Sequence, residues 1–223
     1  MTRREPIGYN SAIIRAETAV AQDPLKAYRD KRRADVTPEP SGKHSPRADD
    51  QPPVFVVQKH DASTLHYDFR LEIDGVLKSW AVPKGPSTDP RDKRLAVETE
   101  DHPLDYADFE GVIPQGEYGG GTVMVWDIGP YDNAKLDDDG EIEKSLAECW
   151  ADGHLTVNLH GKKLSGGYAL THFRTEGNKR QWLLVKIDDE AADARRNPVS
   201  SEDSSVLSDR TTDEIASEAD TSS

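Results

Sequence analysis

The chain has 223 residues, 31% of them charged, a formal net charge of −14 and a pI near 4.9. That length suits one ordinary domain with tails, and the acidity excludes a protein that coats nucleic acid nonspecifically, since such binding needs a broad basic surface. Cys149 is the single cysteine, which excludes an intrachain disulfide and a cysteine-rich zinc cluster and fits a reducing cytoplasm.

The first ten residues are polar, and no stretch approaches the roughly 18 apolar residues of a membrane span, so neither export nor membrane insertion is predicted. Residues 1–50 read as an N-terminal arm in which Ser11–Ala21 and Pro24–Arg33 form short helices. A linker rich in Pro, Asp and Ser follows over 34–53.

Residues 51–190 read as one domain of strands. They are Val54–Gln58, Leu65–Ile73, Lys78–Val82, Leu95–Glu98, Thr122–Asp127, His154–Leu159, Tyr168–Phe173 and Gln181–Ile187. Asp74-Gly75, the segment 161–167 and Gly177-Asn178 supply the turns of three hairpins. A helix is predicted over Glu141–Trp150 with Gly153 as its stop. From Asp189 onward, and so through the tail of 191–223, acidic and hydroxyl residues dominate, which predicts disorder. The fold class is therefore mainly β, an antiparallel barrel of about eight strands with a concave groove and one or two short helices.

Within this frame His60 ends one strand and His66 opens the next, so the polar turn Asp61–Thr64 can set the two imidazoles side by side. Residues 66–72 alternate strictly, so His66, Asp68 and Arg70 share one face while Tyr67, Phe69 and Leu71 pack on the other. Two neutral imidazoles and a carboxylate form a three-ligand site with open positions, suited to manganese, iron(II) or zinc. Arg70 lies roughly 7 Å beyond Asp68 at strand rise and can fork onto a phosphate held at the metal. A salt bridge to Asp68 or Glu72 is the plainer alternative.

His102 precedes a proline turn and Tyr106 follows four residues later. His102 could protonate a leaving oxygen or hold a nonbridging one, and Tyr106 could donate to a phosphate. Lys84 and Arg94 stand in flanking loops and add positive potential or are simply solvated. The glycine-rich run 116–121 lacks the Gly-Lys-Ser ending of a phosphate loop and leads into a strand, so it reads as a bulged strand start. His154, His160 and His172 are assigned structural roles.

With these residues in hand, the chain resembles the 3′-phosphoesterase module of the DNA ligase D family. The motifs are Phe55-Val56-Val57-Gln58-Lys59-His60, His66-Tyr67-Asp68-Phe69-Arg70-Leu71-Glu72, the segments 78–86 and 100–106, and their continuation through 110–114 and 116–126. The resemblance runs from about 26 to 188. It implies a compact barrel with a Mn2+ site, where Co2+ or Zn2+ could substitute, and the ligands would be His60, His66 and Asp68.

The same resemblance implies that Arg70, His102 and Tyr106 hold the scissile phosphate, that Gln58, Lys84 and Arg94 support activity, and that Arg32 and Glu39 of the arm bind substrate. Arg33 stands where the family pattern has an acid. The implied activity is removal of 3′-phosphates and terminal ribonucleotides from DNA in end joining, on primer-template ends. A separate ligase or polymerase and an end-binding protein are the expected partners. The alternative is a noncatalytic DNA-end-binding scaffold that recruits a ligase or polymerase.

Overall fold

The computed structural model describes residues 23–42, 51–137 and 139–221. In chain order they form α1 (Lys26–Asp30), β1 (Val54–Asp61), β2 (Leu65–Ile73), β3 (Val76–Val82) and β4 (Arg94–Glu98). A 3-10 turn (Leu104–Tyr106), β5 (Gly111–Ile113), β6 (Gly121–Asn133) and α2 (Leu146–Asp152) follow. The last elements are β7 (His154–His160), β8 (Ser165–Glu176), β9 (Lys179–Lys186), α3 (Pro198–Ser201) and α4 (Thr212–Thr221).

The strands run in the order β1-β2-β3-β4-β9-β8-β7-β6, and β6 pairs back to β1, closing an eight-stranded barrel. Every pairing is antiparallel, and the short β5 lies outside the ring on β6. Closure leaves no long edge for stray pairing. The long β6 makes it possible: residues 122–130 pair with β1 and residues 131–133 with β7.

Alternation along the strands builds two cores. Phe55, Val57, Tyr67, Phe69, Trp80, Met124, Trp126 and Trp182 fill the barrel interior. Val56, Leu77, Val123 and Val125 point outward from β1, β3 and β6, where Tyr28 of α1, Tyr106, Phe109 and Ile113 cover them. The arm therefore packs against the barrel wall. Its Tyr28 hydroxyl donates to Pro40 O at 2.6 Å, which folds the segment 28–40 into a closed loop.

Three sequence expectations shift. The helix expected over Glu141–Trp150 begins at Leu146, because Ser145 caps it through a reciprocal pair of bonds with Glu148. Ile142 is 62% exposed, and its backbone bridges to Leu136. Gly153 does stop the helix, in the left-handed conformation at φ 80°. The glycine run 116–120 forms turns, and Gly121 starts β6 where a Cβ would meet Asp61 O at 2.3 Å.

The largest correction is the tail. Residues 191–221, expected to be disordered, run along the barrel and end in α4, where Ile215 is buried. Arg196 pairs with Glu202 at 2.7 Å, Trp126 Nε1 donates to Glu202 O, and Ser208 Oγ donates to Glu110 at 2.7 Å. A polar segment cannot build its own core, but here the barrel offers a finished surface and hydrogen-bond partners. Of the two helices expected in the arm, Ser11–Ala21 lies outside the described residues, and the other is the shorter α1.

Candidate metal and phosphate site

The β1–β2 hairpin sets the register His60↔His66, Gln58↔Asp68 and Val56↔Arg70, and β3 places Ala81 beside Asp68 and Ser79 beside Arg70. Directly opposed residues on one face have Cβ atoms about 5 Å apart, so the polar residues of three strands form one patch. It lies on the outside of the barrel wall. The groove owes its depth to what is laid over that wall: the arm, the segment 99–106 and the loop 114–120 together enclose a cavity of about 420 Å³.

The ligand atoms of His60, His66 and Asp68 lie within 4.8 Å of one another. His60 Nδ1 is 3.5 Å and His66 Nε2 3.7 Å from the two Asp68 carboxylate oxygens. The remaining ring nitrogens are spoken for: His60 Nε2–H donates to Gly119 O at 2.9 Å and His66 Nδ1–H to Thr64 O at 2.9 Å. Those bonds select the tautomers that turn a lone pair from each ring toward Asp68, the arrangement a metal-binding imidazole needs. The donor set therefore fits a divalent cation.

Burial alone would raise the Asp68 carboxyl, but the Arg70 guanidinium beside it outweighs this and holds it well below the usual carboxylate range. Asp68 is thus anionic at neutral pH, as a cation site requires.

Arg70 is 2% exposed and fully oriented. Its Nε donates to Gln58 Oε1 at 2.8 Å, Nη1 to Ser79 Oγ at 2.8 Å and Nη2 to Asp68 at 3.0 Å. Three of its five N–H groups are so engaged, leaving two for a ligand. Gln58 is itself held by the carbonyls of Tyr106 and Phe109 at 3.0 and 3.1 Å.

His102 Nδ1–H donates to Glu100 O at 2.9 Å, and Arg32 Nη2 donates to His102 Nε2 at 3.2 Å. Burial, then the charges of Arg70 and Arg32, push this imidazole well below 6.5, so it is neutral with both nitrogens occupied. The Tyr106 phenol donates to Glu39 Oε1 at 3.1 Å and is held protonated by burial and by that carboxylate. Arg32 joins the arm to the site: it stacks 3.8 Å from the Tyr28 ring centroid and bonds Glu39 at 2.8 Å and Glu100 at 3.1 Å.

The fold therefore brings together His60, His66, Asp68, Arg70, His102, Tyr106 and Arg32 around one cavity. Gln58 and Glu39 stand behind it, holding Arg70 and Arg32. Lys84 and Arg94 do not reach it. Lys84 is exposed in the turn after β3, and Arg94 is the first residue of β4, on the face shared with the interior residue Ala96 and paired with Asp92. Arg33, the departure from the family pattern, pairs with Glu117 on the groove rim.

Sequence reading missed Ser79, Glu100, Gly119 and Tyr118. Ser79 was legible in principle, since it shares a face of β3 with Leu77 and Ala81. The others come from loops, where no period reports the direction of a side chain.

A model of the DNA ligase D 3′-phosphoesterase domain matches residues 58–172. The chain belongs to that family. It is 55% identical over 192 residues to the multifunctional non-homologous end joining protein LigD of Pseudomonas aeruginosa, across 84% of this chain and 22% of that protein. It is 48% identical over 172 residues to the corresponding DNA repair protein of Mycobacterium tuberculosis, across 77% of this chain and 21% of that one.

A third family member, from Mycolicibacterium smegmatis, is 41% identical over 190 residues, across 85% of this chain and 24% of its own length. The chain thus spans about a fifth to a quarter of the length of these relatives. Among the described residues, no helix is long and apolar enough to cross a membrane.

Proposed function

We propose that the chain is a metal-dependent phosphoesterase of DNA end joining that removes 3′-phosphates and terminal ribonucleotides and leaves 3′-hydroxyls. The observation that carries this reading is the contact between Asp68 and Arg70. One Asp68 oxygen lies 3.0 Å from the Arg70 guanidinium, while the same carboxylate lies between His60 and His66. A phosphate placed here meets a cation site and a guanidinium fork at once.

His60, His66 and Asp68 would hold Mn2+, with Co2+ or Zn2+ as substitutes. Bound there, such an ion supplies Lewis-acid withdrawal of charge from a nonbridging oxygen. The chain's own residues do the rest. Arg70 directs its two uncommitted N–H groups at the phosphoryl oxygens and stabilises charge that grows as water attacks phosphorus and the bond to O3′ breaks.

His102, neutral and hydrogen-bonded on both sides, braces Arg32 at the cavity wall and is not the proton source for the leaving oxygen. Tyr106 closes the floor, its ring centroid 5.0 Å from the Arg70 guanidinium carbon. For a terminal ribonucleotide, the neighbouring 2′-hydroxyl assists cleavage. The DNA 3′ end is the substrate, and polymerisation and sealing belong to other domains or to separate proteins.

The test is a primer-template assay with phosphate, ribonucleotide and hydroxyl 3′ ends, with and without Mn2+. Release of phosphate from the first and of a ribonucleoside species from the second, both dependent on metal, is expected. Tight end binding without turnover in any divalent metal would overturn the enzymatic reading.

A further inference from the structure

Beside the catalytic cavity lies a second one of about 340 Å³, and the two share Thr99, Glu100, Tyr118 and Lys179 as a common wall. One side of the second cavity is Tyr118 with Lys31; the other is the β8–β9 hairpin tip, Asn178, Lys179 and Arg180. Tyr118 is 46% exposed, and Lys31 Nζ stands 4.4 Å from its ring centroid.

The two carboxylates in this groove are already engaged. Glu100 is bound by Lys31 and Arg32, and Glu98 by Trp182 Nε1 and Arg180. The Lys179 side chain has no ion pair or hydrogen bond among the described residues and stands exposed at the junction of the two cavities.

A 3′-phosphate at Arg70 is attached to a strand, and that strand must leave the cavity somewhere. The arm closes one side through Arg32, and the β1–β2 turn offers only the uncharged Ala62 and Ser63 on another. Among the described residues, the side shared with the second cavity carries an exposed aromatic ring and a lysine whose side chain is unpaired, the two elements with which proteins hold single strands without reading sequence.

Resting on the proposed reaction, we infer that this second cavity seats the DNA strand carrying the scissile end. The terminal base stacks on Tyr118, and Lys179 contacts the phosphodiester that joins the terminal nucleotide to its 5′ neighbour. The overall charge of −14 leaves this groove as a local anchor on an otherwise repelling surface.

The test measures KM and kcat for a 3′-phosphorylated oligonucleotide between 50 and 200 mM KCl, with anisotropy of the same labelled DNA in EDTA in parallel. Removing one phosphate contact in Lys179→Ala should reduce the slope of log affinity against log salt by about 0.7–0.9. Tyr118→Ala should leave that slope unchanged and raise KM about tenfold, while Tyr118→Phe stays within about threefold of the parent because the stacking ring remains.

Affinity and slope unaltered in both alanine variants would overturn the inference, as would loss of kcat rather than affinity. If the parent protein releases no phosphate, the reaction assignment fails, and the anisotropy series still decides the groove. Absence of salt-dependent binding by the parent in that series overturns it as well.

Discussion

Gln58 holds Arg70 from behind: its Oε1 accepts Arg70 Nε–H at 2.8 Å, while its Nε2 donates to the Tyr106 and Phe109 carbonyls. A residue that never faces the cavity thereby ties the cavity-lining guanidinium of the barrel wall to the segment that carries Tyr106. Gln58→Leu removes the acceptor of Arg70 Nε–H and the side-chain donor to two carbonyls, of which Tyr106 O keeps the Phe109 N–H. The expected outcome is a kcat lowered by up to about 100-fold from misplacement of Arg70, and a stability loss of about 1–3 kcal/mol. Denaturant melts and steady-state kinetics measure the two effects.

His66→Ala and Asp68→Ala each remove a proposed metal ligand while leaving the interior face of β2 intact. Both variants are expected to stay folded, lose Mn2+-dependent phosphate release and lose the rise in Tm that Mn2+ produces in the parent, since a ligand stabilises only the state that binds it. Activity undiminished in either variant counts against the ligand assignment.

His102 is held neutral by burial and by Arg70 and Arg32, with a pKa well below 6.5. Its titration therefore lies on the acid side of the working range, and His102→Ala should lower the rate without removing any limb of the pH–rate profile between pH 6 and 8. A limb in that interval that vanishes in the variant would show that His102 exchanges a proton during turnover.

Glu100 receives Lys31 and Arg32 and so fastens the arm to the barrel. Burial raises its carboxyl, but the hydrogen bonds from Lys31, from its own backbone and from Arg32 outweigh this and leave it below 4.5. A depressed carboxylate contributes stability that is present above its unfolded value and is lost as pH falls through the folded value. Hydrogen-exchange protection factors across residues 23–42, taken against the intrinsic rate at each pH, should accordingly fall below pH 4.5, and Glu100→Gln should show low protection already at neutral pH.

Asp127 organises the β7–β8 connection by accepting the backbone N–H groups of Lys162, Lys163 and Leu164 at 3.0, 3.2 and 2.7 Å. Asn in its place turns an amide N–H2 toward at least one of these donors. Asp127→Asn is expected to cost about 1–3 kcal/mol, seen as a fall in Tm of about 2–4 °C per kcal/mol, with the metal site unaffected.

The patterns that were legible in the sequence are local ones. Period-two alternation from His66 to Glu72 put His66, Asp68 and Arg70 on one face, and the short Asp61–Thr64 turn was enough to set His60 beside His66, as the His60↔His66 register bears out. The hairpin turns and the number of ring strands followed from similar short-range signals. The family motifs pointed to His102, Tyr106, Arg32 and Glu39 but not to how they meet.

Tertiary structure alone decided the rest, because those contacts join residues far apart in the chain. Arg32 reaches His102 across 70 positions and Tyr106 reaches Glu39 across 67, and no local period constrains such pairs. Closure of the barrel turned Arg94 to the interior face and left Lys84 outside the cavity. It also gave the acidic tail a surface to lie on, which composition, treating that segment by itself, could not foresee.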